Sequence, residues 1–433
     1  MTRFQKSKEI LKIAIPSGLG SFLDIINMSI TLIFIAKLST SHIVALGAGA
    51  SFMMLFYAIF AIFSTGSNAT ISRLYGQKSP QLKQAISSLL LSILIASIPL
   101  MLLAFFSLSF YPQWLGLQSQ SLNLTQLYLQ ILIFELPFLL LKTTLNAIFS
   151  ASSKAKYPFY TKLLCTFFHL FLSYVLIFGL EGVFSPLGIR GAALSNLLCS
   201  ILEVCLLCFF IYRIFGFDKK LSFQFTKNAI RIGFPTGIER GLTLFSLILI
   251  AKFLLSYGDE VLAGFQIGGR IESFVFMPGF GFMIASMSLM GQNAHYPDLA
   301  KSYTTLCLWI SSFFMGTLGI LIALIGNWIA LFFTQDQEVL LYAWHYLVAV
   351  GLSQIPLIFI FVLDGALRGA GKSKFSLFIN ASSIWGLRIL PMYLCSLYGF
   401  PYFFIFGIIF IETYLRAFIF WFVFYKTDWK IQS

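Results

Sequence analysis

Asp24, Asn27 and Thr31 stand three and four residues apart inside Ile13–Leu38, a stretch that is otherwise almost wholly apolar. On a helix that spacing puts a carboxylate, an amide and a hydroxyl on one face. The stretch spans roughly 39 Å at 1.5 Å per residue, enough to cross a bilayer with some tilt. A carboxylate at membrane depth costs about 2.5–3.5 kcal/mol to insert, so it implies a use or a basic partner. With oxygen-bearing neighbours Asp24 suits Na⁺, a hard cation. Alone in apolar surroundings it suits H⁺. An ion pair with a lysine or arginine of a neighbouring helix is the third reading, and the residues do not choose among the three.

Other intramembrane groups pose the same question. Ile232–Tyr257 repeats the design, with Pro235 near its start and Glu239 one turn on. Glu239 and Arg240 are adjacent and face about 100° apart, so they are not natural partners. Glu239 is read as a coupling acid or as lining an entry. Asp364 and Arg368 are four apart and can pair on one face as a gate or clamp. Glu135 precedes Pro137 and shares a face with Lys142; it is a cation-coupling candidate, or else it and Lys142 form a buried pair, with Asp24 as the other acid for Lys142. Gln266 and Arg270 share a face and, with Glu272, are candidates to line a cavity. Glu412 and Arg416 form an i, i+4 pair read as structural. Arg388 has no acid near it in its own stretch and is expected to find one across helices. His169 can relay a proton or pack as a hydrogen-bonded side chain, and Glu203 is equally open. No HExxH, no GxSxG and no pair of acids at metal-ligand spacing is present, so an enzyme is not expected.

The elements that must hold these residues follow from composition. Of 433 residues 58% are hydrophobic and 10% charged, with mean hydropathy +0.88, where soluble proteins carry about 25% charged residues. This is an all-α, polytopic membrane protein. Twelve spans are expected, at about 13–38, 43–72, 84–107, 123–149, 158–180, 190–214, 229–256, 261–290, 302–328, 338–367, 375–398 and 401–425. The basic N-terminus leads into a full-length apolar run, which reads as the first span and not as a cleavable signal. With short connections and both termini on one side, that side holds 21 of the 29 basic residues and the opposite side only Lys37, Arg190 and Lys252. Such a ratio places both termini in the cytoplasm. The net charge of +13 is therefore a topology signal and not one for nucleic acid. The six cysteines all fall in apolar runs and read as small packing residues.

The chain also repeats. Ile13-Ala-Ile-Pro16 answers Ile232-Gly-Phe-Pro235, and Tyr75-Gly76-Gln77 answers Met290-Gly291-Gln292. The run Asn146 to Lys156 answers Asp364 to Lys374 at an offset of 218. Six spans per half is an even number, so the halves share an orientation and are related by a pseudo-two-fold axis along the membrane normal. The expected organisation is an N-terminal six-helix bundle (1–214), a polar cytoplasmic linker (215–227) and a C-terminal bundle (228–433).

These features together resemble the multidrug and toxin extrusion (MATE) family. The matching pieces are the two prolines, Tyr75-Gly76-Gln77 with Gly291-Gln292, Leu176-Ile-Phe-Gly179 with Gly188-Ile-Arg-Gly191-Ala-Ala-Leu-Ser-Asn196, and Asp364-Gly-Ala-Leu-Arg368-Gly-Ala-Gly. The resemblance implies two six-helix bundles in a V. It implies export of amphipathic, often cationic, small molecules by alternating access, in exchange for H⁺ or Na⁺ and without another cofactor. A monomer in the bacterial inner membrane, in contact with lipid and with no nucleic acid, is expected. A related flippase for a lipid-linked oligosaccharide is the alternative. The family pattern puts acids where Thr31, Thr243 and Ser173 stand here, so Asp24 and Glu239 are the candidate replacements. Asn146 falls on a polar position that the family uses near its N-lobe cation site. Asp24 lies about 10 Å nearer the cytoplasm than the usual acid, which favours H⁺ over Na⁺.

Overall fold

The computed structural model describes residues 2–117, 119–180, 185–427 and 429, and its regular elements are all helices. The first half of the chain contains α1 (Arg3–Ala36), α2 (Thr40–Met54), α3 (Tyr57–Gly76), α4 (Leu82–Ser107), the short α5 (Phe110–Trp114), α6 (Ser119–Leu132), one 3-10 turn (Ile133–Glu135), α7 (Leu136–Ala151), α8 (Lys156–Phe178) and α9 (Ile189–Phe215). The second half contains α10 (Phe223–Leu255), α11 (Asp259–Gln292), α12 (Pro297–Ala330), α13 (Gln337–Leu352), α14 (Gln354–Gly369), α15 (Ser373–Ser382), a π-helical stretch (Ser383–Ile389), α16 (Leu390–Leu397) and α17 (Phe403–Lys426). Among the described residues eight helices are long and apolar enough to cross a membrane, and ten spans result if each of two bent pairs counts as one.

All twelve expected spans are helical, but four are broken. The second bends by 45° between α2 and α3, and the tenth by 53° between α13 and α14. The fourth passes through the 3-10 turn and the eleventh through the π-helical stretch. The breaks in the fourth and tenth spans are equivalent: Glu135 and Ser353 are 218 residues apart, the offset that relates Asn146 to Asp364. A broken helix at membrane depth is tolerated where protein surrounds the freed backbone, and both Glu135 and Ser353 are buried.

α1 begins ten residues before the apolar run. Its basic first turns are tied down: Lys6 donates to Ser302 at 2.6 Å, and the Tyr303 hydroxyl donates to Glu9. The chain forms two compact units, Gly20–Gly233 on the one hand and Met1–Leu19 with Phe234–Ser433 on the other. α1 and α10 are thus each shared between units, whereas the linker read from composition lies at 215–227. Close helix contact explains the sharing. A Cβ on Gly281 of α11 would stand 3.0 Å from the Cα of Gly18 and would run into the Ala14 carbonyl, so only glycine lets the first half of α1 lie there. In the Gly20–Gly233 unit a Cβ on Gly66 of α3 would stand 2.9 Å from the Cα of Ala229. Gly66 and Gly281 are 215 residues apart, the offset of the two Gly-Gln pairs. Each unit has its own apolar core, including Phe52, Leu129 and Leu140 in one, and Leu254, Leu347 and Met392 in the other.

Candidate functional site

In the Gly20–Gly233 unit, Asp24 is paired. Its Oδ2 accepts from Lys162 Nζ at 2.7 Å, and the same ammonium reaches the Gly20 carbonyl at 3.3 Å. The Asp24 side chain is 56% exposed while that of Lys162 is 8% exposed. Lys162 is one of the 21 basic residues counted on the side of the termini; it lies inside α8, which starts at Lys156, and is buried. Thr31 is buried and donates to the Asn27 carbonyl at 3.2 Å, a bond within its own helix. Among the described residues the buried Asn27 and Asn146 side-chain oxygens have no hydrogen-bond partner. Among the described residues no hydrogen bond joins Asn146 to Asp24.

Glu135 and Lys142 do not pair with each other, and Lys142 does not bridge Asp24. Lys142 pairs with Glu203 at 3.3 Å, and Glu135 accepts the Ser200 hydroxyl at 2.6 Å. The reason is distance: α7 runs unbroken from Leu136 past Lys142, and seven residues of α-helix set the two side chains about 10 Å apart along the axis, so each takes a nearer partner on α9. Lys142 is nevertheless within electrostatic reach of Asp24 and Glu135 as well as Glu203. The unit therefore gathers three carboxylates (Asp24, Glu135, Glu203) against two ammoniums (Lys142, Lys162). His169 is buried; its Nε2 lies 2.8 Å from Asn196 Oδ1 and 3.2 Å from the Ser173 hydroxyl, which donates to Ser195 at 2.9 Å.

The other unit holds a second ion network. Arg368 pairs with Asp364 at 2.5 Å, as the i, i+4 spacing predicts, and with Glu239 of α10 at 2.8 Å. Asn380 donates to Glu239 at 3.1 Å, and Ser376 donates to Asp364. Two carboxylates thus share one buried guanidinium. Arg388, on the π-helical stretch, finds its acid across helices: its Nε donates to Glu412 Oε2 at 3.0 Å. Glu412 is fully buried and also accepts from Ser383 at 2.6 Å and faces Arg416 at 3.2 Å. Glu272 is set apart, accepting the Tyr346 hydroxyl at 2.6 Å. Gln266 and Arg270 are exposed. Lys162, Ser200, Ser376, Asn380 and Ser383 went unrecognised in the sequence because their partners lie on other helices. Only Lys162 carried a local signal, a lysine behind Pro158 in an apolar run. Among the described residues no group of three or more His, Cys, Asp or Glu side chains is placed to hold a metal ion.

The MatE family model matches this chain twice, over residues 16–175 and 235–394, each copy beginning at one of the two prolines. The chain belongs to the MATE family. It is a multi-pass membrane transporter and not an enzyme. Its MATE relatives include a probable multidrug resistance protein NorM of Thermotoga maritima, 26% identical over 88% of this chain and 84% of that one. Another is the probable multidrug resistance protein YoeA of Bacillus subtilis, 25% identical over 82% of this chain and 80% of that one. The MATE fold is shared with solved structures at low identity. A point mutant of the Vibrio cholerae MATE transporter VcmN superposes with a TM-score of 0.91 at 17% identity, covering 99% of both chains. A transporter of Pyrococcus furiosus, described as having a binding pocket of reverse polarity that suggests a different function, has a TM-score of 0.89 at 16% identity and covers 98% of this chain and 97% of that one.

Proposed function

We propose that this MATE protein exports small amphipathic organic compounds, cationic ones among them, in exchange for H⁺ or Na⁺ by alternating access. The membrane is the bacterial inner membrane, with both termini cytoplasmic on the distribution of basic residues. The observation that carries the coupling is the charge balance of the Gly20–Gly233 unit, where three intramembrane carboxylates face two lysines and Asp24 is more than half exposed. A cluster one negative charge in excess binds a monovalent cation readily. The same excess attracts an organic cation, so coupling ion and substrate compete for it. The NorM and YoeA names of its relatives support a multidrug role.

The flippase alternative draws its support from intramembrane basic residues that would hold a pyrophosphate. Those residues are Lys142, Arg240, Arg270, Arg388 and Arg416; Lys142, Arg388 and Arg416 are engaged by acids of their own units, which removes part of that support, while Arg270 is exposed. The test uses purified protein in liposomes loaded with ethidium under an imposed H⁺ or Na⁺ gradient. Ethidium moving against its own gradient under one of them, and losing that drive in Asp24→Asn, is the expected result. Transport indifferent to both gradients would sink the coupled-exporter reading.

A further inference from the structure

Glu135 is the carboxylate left over when the Gly20–Gly233 cluster is paired off. Asp24 has Lys162 and Glu203 has Lys142. Among the described residues Glu135 has no basic group within 4 Å, and the partner it does have is the Ser200 hydroxyl. It is buried, as are its sequence neighbours Leu132, Ile133, Leu136 and Leu140. An ionised carboxylate in such a place is costly unless compensated. One feature works the other way: Ser200 donates to it at 2.6 Å. Opposed terms of this kind leave a group able to change its protonation state. Its position is special as well: it closes the 3-10 turn that breaks the fourth span, and the equivalent break in the second half carries Ser353, which has no charge.

We propose that Glu135 carries the coupled proton of this transporter and that Lys142 communicates its state to Asp24, an inference that rests on the ion-coupled reading above. With Glu135 ionised, the three carboxylates and two ammoniums sum to one negative charge. When Glu135 takes up one proton the sum is zero. Lys142, ion-paired with Glu203 at 3.3 Å and on the same helix as the end of the Glu135 turn, transmits the change, and Asp24 is the exposed end at which an organic cation meets it. The unit then holds either one proton or one monovalent organic cation. The titratable groups facing Glu135 are Tyr128 of α6, Lys142 of α7, and Cys199 and Glu203 of α9. α4, which also packs on the turn, contributes none except Lys83 at its far end. Among the described residues Glu203 Oε1, Thr166 Oγ1 and Asn27 Oδ1, on α9, α8 and α1 of the same unit, are buried with no hydrogen-bond partner.

The experiment measures ethidium affinity of the full-length protein in detergent by fluorescence between pH 6 and 8, beside transport in liposomes. In the wild type, affinity falls as pH falls, by up to about tenfold per unit, as one competing proton requires. Glu135→Gln mimics the protonated state, so its affinity is low, flat with pH, and its H⁺-driven transport is lost. Ser200→Ala keeps the carboxylate but removes its hydrogen bond, and displaces the midpoint of the pH dependence by about one unit. This second variant carries the test if the first fails to fold. A Glu135→Gln protein with the wild-type pH slope, or a Ser200→Ala protein with an unmoved midpoint, overturns the assignment. Wild-type transport driven by Na⁺ alone overturns the proton while leaving the exporter standing, whereas transport indifferent to both gradients refutes the coupled reading itself.

Discussion

Glu412 offers the sharpest test of how the second unit is held together. Its carboxylate is fully buried and touches Arg388 (Nε 3.0 Å), Arg416 (3.2 Å) and Ser383 (2.6 Å). Glu412→Gln keeps the shape and the Ser383 contact but leaves two guanidiniums facing each other without their shared counter-charge. Removing one partner of a buried ion pair typically costs about 3–5 kcal/mol, because the remaining charge stays desolvated. For a unit of roughly 200 residues, 1 kcal/mol corresponds to about 2–4 °C of melting temperature, so a fall of about 6–20 °C is expected. Thermal unfolding of the purified protein in detergent, followed by its tryptophan fluorescence, measures this. The double variant Glu412→Gln with Arg388→Met removes one of the stranded cations. It should recover at least about 1.5 kcal/mol, the size of coupling seen between contacting residues. A single variant that melts within about 2 °C of wild type, or a double variant no better than the single, would refute the claim that Glu412 neutralises both arginines.

Two further outcomes follow from the geometry. Lys162→Met should free Asp24 and raise ethidium affinity by about tenfold, with a stability change below about 1 kcal/mol because Asp24 is 56% exposed; a fluorescence titration checks the first and a melting curve the second. Gly281→Val should prevent the first half of α1 from packing on α11, whereas Gly20→Ala, with nothing within 4 Å of its Cβ, should be neutral or slightly stabilising; folded yield on size-exclusion chromatography separates the two.

Much of the architecture is legible in the sequence, because the bilayer imposes a length and a polarity on every crossing segment. The twelve apolar runs, the offset repeats, the two prolines and the MATE membership all rest on local pattern. The Asp364–Arg368 pair is legible for the same reason, since four residues on a helix bring two side chains together wherever the helix lies. The expected Glu135–Lys142 pair fails because seven residues of α-helix set the two about 10 Å apart along the axis, and each finds its partner on α9 instead, Glu135 in Ser200 and Lys142 in Glu203.

Asp24 marks the division between local pattern and packing. From the sequence it is clear that a carboxylate stands at membrane depth with an amide and a hydroxyl along its helix, and that it needs a cation, a proton or a basic partner. That the partner is Lys162, 138 residues away on α8, emerges only from the packed helices. The same packing gives Lys142 to Glu203 and leaves Glu135 as the unbalanced acid. Pairing across helices depends on how helices are rotated and set against one another. Close-contact glycines and helix breaks govern that packing, and no periodicity within one helix encodes it.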